Sequence, residues 1–439
     1  MQKLSAAFLP LALAIPAAAT PWHNMGPRAM GMGGAQVAVA QGPLASYWNP
    51  AGLGQLYNVS GVELPIGARG EFTGTVLQGA NDINEIRKAC EAGNAAVCTA
   101  ARVNDALRRF NDPGNGVMAD LGGGLSIKIK KVVVFANNLT YIGGSPKVDF
   151  RNTCNGATPN CLSAANNSSS IVLRGGNFTE LGVGYGREIM ETGLSLGVNL
   201  KGIIGRVGYQ EINVATDESS FNKFKDNTKT SFQPGVDVGM LWDMRETFPS
   251  MPMRPRLGVV GRNVNAPEFK NPDVAVLAGE RAKFPLNGQA RAGFALSPFK
   301  WWHLALDADL TDNLTPVDGF KSRYMSAGTE INVFNRPWLN IPLRAGLQKN
   351  LSDSASGLTY TAGAGLNFVR VVIDVAGMVS AKTTSIQSEG KTEKVPNNFG
   401  AAARFAFLFG GTDEGRRQSA PRAPRTPRMP PPEPKKKKK

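Results

Sequence analysis

The stretch Asn398-Phe399-Gly400-Ala401-Ala402-Ala403-Arg404-Phe405-Ala406-Phe407-Leu408-Phe409 has two unlike faces. Phe399, Phe405, Phe407 and Phe409 share one parity; Gly400, Ala402, Arg404 and Ala406 share the other. A strand sends alternate side chains to opposite sides. One side is then aromatic and uncharged, the other small and charge-bearing. A soluble sheet would bury the aromatic side, so this segment alone leaves two folds open. The pattern recurs, however. Leu196, Val198 and Leu200 oppose Ser195, Gly197, Asn199 and Lys201; Val236, Val238, Met240 and Trp242 oppose Asp237, Gly239 and Asp243. Leu304, Leu306, Ala308 and Leu310 oppose His303, Asp307 and Asp309, and Met325, Ala327, Ile331 and Val333 oppose Ser326, Gly328, Glu330 and Asn332. The apolar side stays free of charge while the polar side collects Gly, Asp, Arg and Ser. This predicts an all-β fold: an antiparallel transmembrane β-barrel with apolar residues toward lipid and polar residues toward the lumen.

Strands are expected near 59–76, 117–130, 132–144, 172–187, 194–214, 231–244, 255–268, 289–299, 303–314, 322–335, 339–350, 358–369, 371–382 and 398–409. That is about 14 strands, an even number as bacterial barrels require. Short connections at Lys131, 188–193, 300–302, 336–338 and Arg370 alternate with long ones, notably 77–116, 145–171, 215–230, 270–288 and 383–397. Such alternation implies periplasmic turns and extracellular loops, with both termini periplasmic. Trp242, Trp301, Trp302 and Trp338 fall at or near short turns, where an interfacial aromatic girdle belongs.

Residues 1–19 read as a signal peptide: Lys3, an apolar stretch from Ala6, and Ala17-Ala18-Ala19 as the cleavage site. The barrel is expected over 58–409, and 20–57 reads as a compact Gly/Ala-rich plug in its lumen. His23 falls in what looks like an unstructured start of the mature chain. Within 77–116, Ile83, Ile86, Val103 and Leu107 suggest short amphipathic helices forming an extracellular cap. From 410 to 439 the chain is rich in Pro, Arg and Lys, a disordered basic tail. From Arg416 to Lys439 ten basic residues against one acid account for most of the net charge of +15, so nucleic-acid binding by the barrel is not expected. Anionic lipid or an envelope polymer would suit the tail.

The four cysteines, Cys90, Cys98, Cys154 and Cys161, suit two local disulfides in an oxidising compartment, although three pairings exist. With only His23 and His303, no metal signature forms, and neither a cofactor nor catalysis is expected. The paired carboxylates Asp307/Asp309 and Asp237/Asp243, with Arg291, Arg344, Lys201 and Arg404, read as a balanced internal network. A Gly-rich nucleotide loop is excluded, because no strand precedes the glycines and no Lys-Ser/Thr follows in order.

The run from Gly26 to Leu53, with Arg28-Ala29-Met30-Gly31-Met32-Gly33-Gly34-Ala35 and Tyr47-Trp48-Asn49-Pro50-Ala51-Gly52-Leu53, resembles the N-terminal hatch of the FadL/TodX outer-membrane transporter family. It is equally similar to FadL-like barrels associated with plasmid transfer, the TraF-type proteins. The resemblance implies an outer-membrane barrel of fourteen strands, plugged by a segment in which Arg28, Gly31, Gly33, Asn49, Pro50, Ala51 and Gly52 match the motif. It implies passive uptake of a hydrophobic molecule of the long-chain fatty acid or hydrocarbon class, leaving laterally through the wall into membrane lipid. The loop cysteines, the cap and the tail depart from a plain FadL pattern. They raise the other implied role, an envelope or assembly platform for conjugation, as the alternative. The disulfide oxidoreductase that shares the TraF name is excluded, because this chain has no Cys-x-x-Cys.

Overall fold

The computed structural model describes residues 21–55, 59–150, 168–190, 192–213, 224–388 and 391–409. The signal peptide, Cys154 and Cys161, and the basic tail lie outside the described residues. The barrel strands are β1 (Ser60–Thr73), β2 (Gly116–Ile129), β3 (Val132–Lys147), β4 (Ser170–Glu188), β5 (Leu194–Asn213), β6 (Thr228–Asp243) and β7 (Arg256–Arg262). They continue as β8 (Gln289–Phe299), β9 (Trp302–Asp309), β10 (Tyr324–Arg336), β11 (Leu339–Asn350), β12 (Thr359–Phe368), β13 (Val371–Ser380) and β14 (Asn398–Phe409). Each pairs antiparallel with the next, and β14 returns to β1 in register from Ser60–Phe409 to Glu71–Asn398, closing fourteen strands. Closure leaves no edge, the condition for a sheet to cross hydrocarbon. No described helix is long and apolar enough to cross a membrane, which says nothing against crossing by strands.

The two faces separate as the alternation requires. Leu64, Ile66, Leu121, Val134, Leu181, Leu200, Val375 and Phe405 are exposed outward. Glu63, Arg69, Asp120, Glu180, Lys201, Asp307 and Asp374 point inward and are almost wholly buried. Seven connections share one end, all of them long except 351–358; the other end carries the tight turns, the longer 244–255 connection and both ends of the barrel chain. At the short-turn end, Phe299, Trp301 and Trp302 stack, Trp338 packs edge-on against Phe334 and Phe368, and Trp242 meets Phe248.

Two strands are shorter than the alternation suggested. The expected strand 255–268 ends at Arg262, and 303–314 ends at Asp309. Beyond Arg262 the side chain of Asn265 takes over from the ladder, accepting from Val236 N–H at 3.0 Å and donating to Pro234 carbonyl at 2.8 Å. Pro234 has no N–H to give a neighbouring strand. The chain then leaves the wall as a small hairpin, Glu268–Lys270 with Lys283–Pro285. The cap is two helices, Val76–Glu91 and Ala100–Phe110. The Cys90–Cys98 disulfide and an Asp82–Arg109 ion pair at 3.3 Å join them.

Ile66 lies mid-strand and is 55% exposed. Replacing it with Arg should lower the stability of the barrel refolded in lipid vesicles by about 2–4 kcal/mol, as for lipid-facing charges near a bilayer midplane. Urea titration would measure this; an unchanged midpoint would place Ile66 outside the hydrocarbon.

Candidate functional site

A fourteen-stranded barrel is wider than its own side chains can fill, since about eight strands already give an interior that side chains just occupy. The near-zero exposure of its inner charges therefore requires an insert. Residues 21–55 supply it, with almost every residue buried. The segment folds as brief turns: helices Pro27–Gly31 and Ala45–Trp48, and 3-10 turns Val37–Val39 and Pro50–Gly54. Pro27 and Pro50 start two of them, where a missing N–H is harmless. Asn49 caps the last, its Oδ1 accepting Ala51 N–H at 3.1 Å.

One line of charge runs from this segment around the wall and back. Arg28 donates from Nε and Nη2 to the two oxygens of Glu330 on β10, at 2.9 and 3.0 Å. Arg344 on β11 donates to the same carboxylate at 2.7 Å and to Asp374 on β13 at 2.8 Å. Arg404 on β14 joins Asp374 to Glu63 on β1. Glu63 then accepts Leu44 N–H at 2.9 Å, back in the insert. Arg344 and Asp374 meet although β12 stands between their strands. Gly363 and Gly365 of β12 lie opposite them in register, and a Cβ at Gly365 would fall on the Asp374 carboxylate. The signs alternate along the whole line, so each buried charge has a hydrogen-bonded opposite, without which burial would be prohibitive.

Backbone contacts hold the rest. Asp307 accepts Gln36 N–H and Val37 N–H at 2.7 and 2.8 Å. Asn49 Nδ2 donates to Val37 carbonyl within the insert at 3.2 Å and to Met240 carbonyl on the wall at 3.0 Å. Thr361 accepts Gly33 N–H and donates to Gly31 carbonyl, both at 3.0 Å. Wall glycines make room: a Cβ at Gly197 would come within 2.2 Å of the Pro50 carbonyl carbon, and one at Gly239 within 2.1 Å of Asn49 Oδ1. Gly33 has φ +69° and its Cβ would meet Leu347 carbonyl at 2.4 Å, so both backbone and space demand glycine there. Gly52 turns against Ala40 inside the segment.

The motif residues Arg28, Gly31, Gly33, Asn49, Pro50 and Ala51 thus all meet the wall, whereas Gly52 packs internally. His23 is not in an unstructured start. It is buried, with Nδ1 2.5 Å from Asp120, which also holds Arg69 at 2.7 Å. The sequence alone does not single out Glu63, Asp120, Glu330, Thr361 and Asp374 as site residues. Their only sequence signal was a charge or hydroxyl on the inward parity, shared by many others.

Toward the long-loop end the interior changes character. Tyr141, Phe178, Ile203 and Val207 point inward from β3–β5, and Phe269 and Leu286 enter from the 263–288 excursion. Phe178 packs edge-on against Phe269 at 5.2 Å and stacks with Phe284 at 5.9 Å. This cluster continues into Trp22, Tyr47 and Trp48 of the insert. Arg262 lies 4.2 Å over the Tyr47 ring and Arg291 4.6 Å over Trp22, cation–π contacts that let cations border an apolar cluster. Burial pushes the Tyr47 hydroxyl up to about 12, so it stays protonated and donates to His23 carbonyl at 2.9 Å.

Residues 46–309 match the family model described as F plasmid transfer operon, TraF, protein. The chain belongs to this family. The match starts near the end of the insert, at residue 46, and ends with β9, so it takes in the Asn49-Pro50 turn and nine of the fourteen strands. A search of the curated proteins found no match for the TraF-family chain. Among solved structures its barrel is similar to the Pseudomonas putida toluene transporter TodX, at 12% identity over 90% of this chain and 99% of that one, TM-score 0.46. It is also similar to the Ralstonia pickettii toluene transporter TbuX (11%, 88% and 98%, TM-score 0.46) and to a Pseudomonas aeruginosa FadL homologue (10%, 90% and 99%, TM-score 0.44).

The charge line of the TraF-family chain makes an ordered prediction. Removing Glu330 leaves Arg28 without its carboxylate and Arg344 with Asp374 only. Removing Arg28 leaves Glu330 still paired with Arg344. Glu330→Ala should therefore destabilise the barrel by about 3–5 kcal/mol, and Arg28→Ala by clearly less. Urea unfolding of both variants in detergent micelles checks the order; equal losses would dissolve the line into independent pairs.

Proposed function

We propose that this protein is an outer-membrane barrel that admits hydrophobic molecules passively, with residues 21–55 as the plug that keeps water and ions out. The observation that carries this reading is the aromatic and aliphatic lining between the long loops and the plug. A pore for polar solutes would line that half with charge and water; here Tyr141, Phe178, Ile203, Val207, Phe269 and Leu286 line it instead. An apolar solute of the hydrocarbon or fatty-acid class could exchange contacts with these rings without stranding a buried charge. The long loops and cap then face outward, and both ends of the chain lie in the periplasm. Arg28, Gly31, Gly33, Asn49 and Pro50 are the residues that seat the plug.

The family description favours a second role, as a component of the envelope machinery of plasmid transfer, with the cap and basic tail as contact surfaces for partners or for anionic lipid or envelope polymer. The two roles separate by experiment. Deleting residues 21–54 should turn a closed barrel into one with a steady, water-filled conductance in planar bilayers. Phe178→Asp should cut uptake of radiolabelled oleate or toluene by cells at least several-fold while leaving the closed state intact. Unchanged uptake in Phe178→Asp, together with lost mating efficiency on removal of 410–439, would overturn the transport reading in favour of the second.

A further inference from the structure

The outward face of β3 and β4 interrupts the apolar belt. Its outward register pairs are Val134–Val183, Ala136–Leu181, Asn138–Thr179, Thr140–Asn177 and Ile142–Gly175. Two polar pairs therefore stand between apolar ones on the same strands, and Leu121 beside Thr140 and Ile204 beside Thr179 are also exposed and apolar. The four polar side chains form one cluster. Asn138 Nδ2 donates to Asn177 Oδ1 at 3.1 Å and to Thr179 Oγ1 at 3.0 Å. Asn177 Nδ2 donates to Asn138 Oδ1 at 2.8 Å and to Thr140 Oγ1 at 2.7 Å. Both amide groups spend both N–H bonds inside the cluster. The two hydroxyls act there as acceptors, and each keeps its own hydrogen to donate. Polar side chains facing hydrocarbon are expensive and mark function more often than structure.

The next strand adds a cation. Arg206 on β5 is opposite Asn177 in register, faces outward and is exposed. Its Nε donates to Thr228 Oγ1 at 2.8 Å and its Nη2 to Lys225 carbonyl at 2.9 Å, which hold the guanidinium at the wall. Among the described residues, no carboxylate is within ion-pair distance of it. Toward the short-turn end, the same face opens into an apolar groove of about 560 Å³, lined by Leu125, Val134, Leu181, Leu200, Gly202 and Phe232 among others. Small-molecule pockets run to about 300–1,000 Å³. A Cβ at Gly202 would come within 2.7 Å of the Phe232 ring, so the glycine is what lets that ring lie across the groove.

We propose that this face binds one anionic membrane lipid, its phosphate and ester oxygens on the Thr140 and Thr179 hydroxyls and the Arg206 guanidinium, and an acyl chain in the groove. The polar end offers donors and a positive charge, and so selects an acceptor-rich anion. The apolar end exposes no charge, since Lys201 behind it turns its ammonium inward to Glu180 and Asp237, and it opens directly into the bilayer. Because the donors lie on the long-loop side of the groove, the lipid comes from the leaflet on that side. A second copy of the chain fits less well, since it would bring another set of donors and another Arg206 to a face that needs acceptors. The site is independent of any passage through the lumen.

The test uses the full-length protein in detergent, titrated with phosphatidylglycerol or phosphatidylcholine and read by native mass spectrometry. Folding is checked by heat-dependent gel migration. Wild type should retain one phosphatidylglycerol at least tenfold more tightly than Asn138→Leu/Asn177→Leu or Arg206→Gln, and more tightly than phosphatidylcholine. Arg206→Gln leaves the belt itself unaltered, so it decides the matter even if the double variant misfolds. Equal retention by wild type and Arg206→Gln would overturn the proposal and leave annular lipid only. So would a dimer of wild type that the double variant abolishes without any change in lipid retention.

Discussion

The interior of this barrel rests on one constraint: a buried charge must have an opposite charge within hydrogen-bond reach. Fourteen closed strands put charged residues on the inward parity, where a wide lumen would ordinarily leave them in water. The N-terminal segment takes that water's place. It can do so because Arg28 completes the carboxylate of Glu330, Leu44 N–H completes Glu63, and Gln36 and Val37 N–H complete Asp307. Wall and insert are thus each other's solvent. Low local dielectric makes these pairs strong when complete and costly when broken, so the arrangement favours one seating of the segment over sliding alternatives.

Glycine serves this constraint twice. On the wall, Gly197 and Gly239 let the Asn49-Pro50 turn approach to backbone distance, and Gly363 and Gly365 clear a path between Arg344 and Asp374 across an intervening strand. In the insert, Gly33 combines a positive φ with a contact on Leu347 carbonyl that no side chain would allow. The chain's 50 glycines are therefore spatially sorted. Much of it lies where insert and wall touch.

The interior is also divided. One sector of the wall is a line of alternating charge that grips the insert. The other, on β3–β5 beneath the long loops, is aromatic and continuous with Trp22, Tyr47 and Trp48. A solute entering from the long loops would meet rings before it met charge. The outer surface carries its own asymmetry, since the Asn/Thr cluster and Arg206 occupy the wall just outside that aromatic sector. Polar chemistry on this molecule is concentrated at the insert, at the loops and on that one patch of the belt.

Much of this was legible in the residues. Period-2 alternation located all fourteen strands, because the contrast between lipid and lumen is written into every second side chain. The short helices within 77–116 were legible from local pattern too. The shortened strands at Arg262 and Asp309 were not: Asn263, Asn265 and Asp312 interrupt the apolar parity there, but only a partner strand decides where pairing stops. The partners of the inner charges were also hidden. Arg28 and Glu330 are 302 positions apart, and parity says only that a residue faces inward, not whom it meets. His23 looked like part of a loose start for the same reason. What the sequence determined by itself was which face each side chain takes, a local property of an extended chain. Which charge meets which, and what fills the lumen, were decided by closure of the barrel, which brings residues far apart in sequence around one enclosed volume.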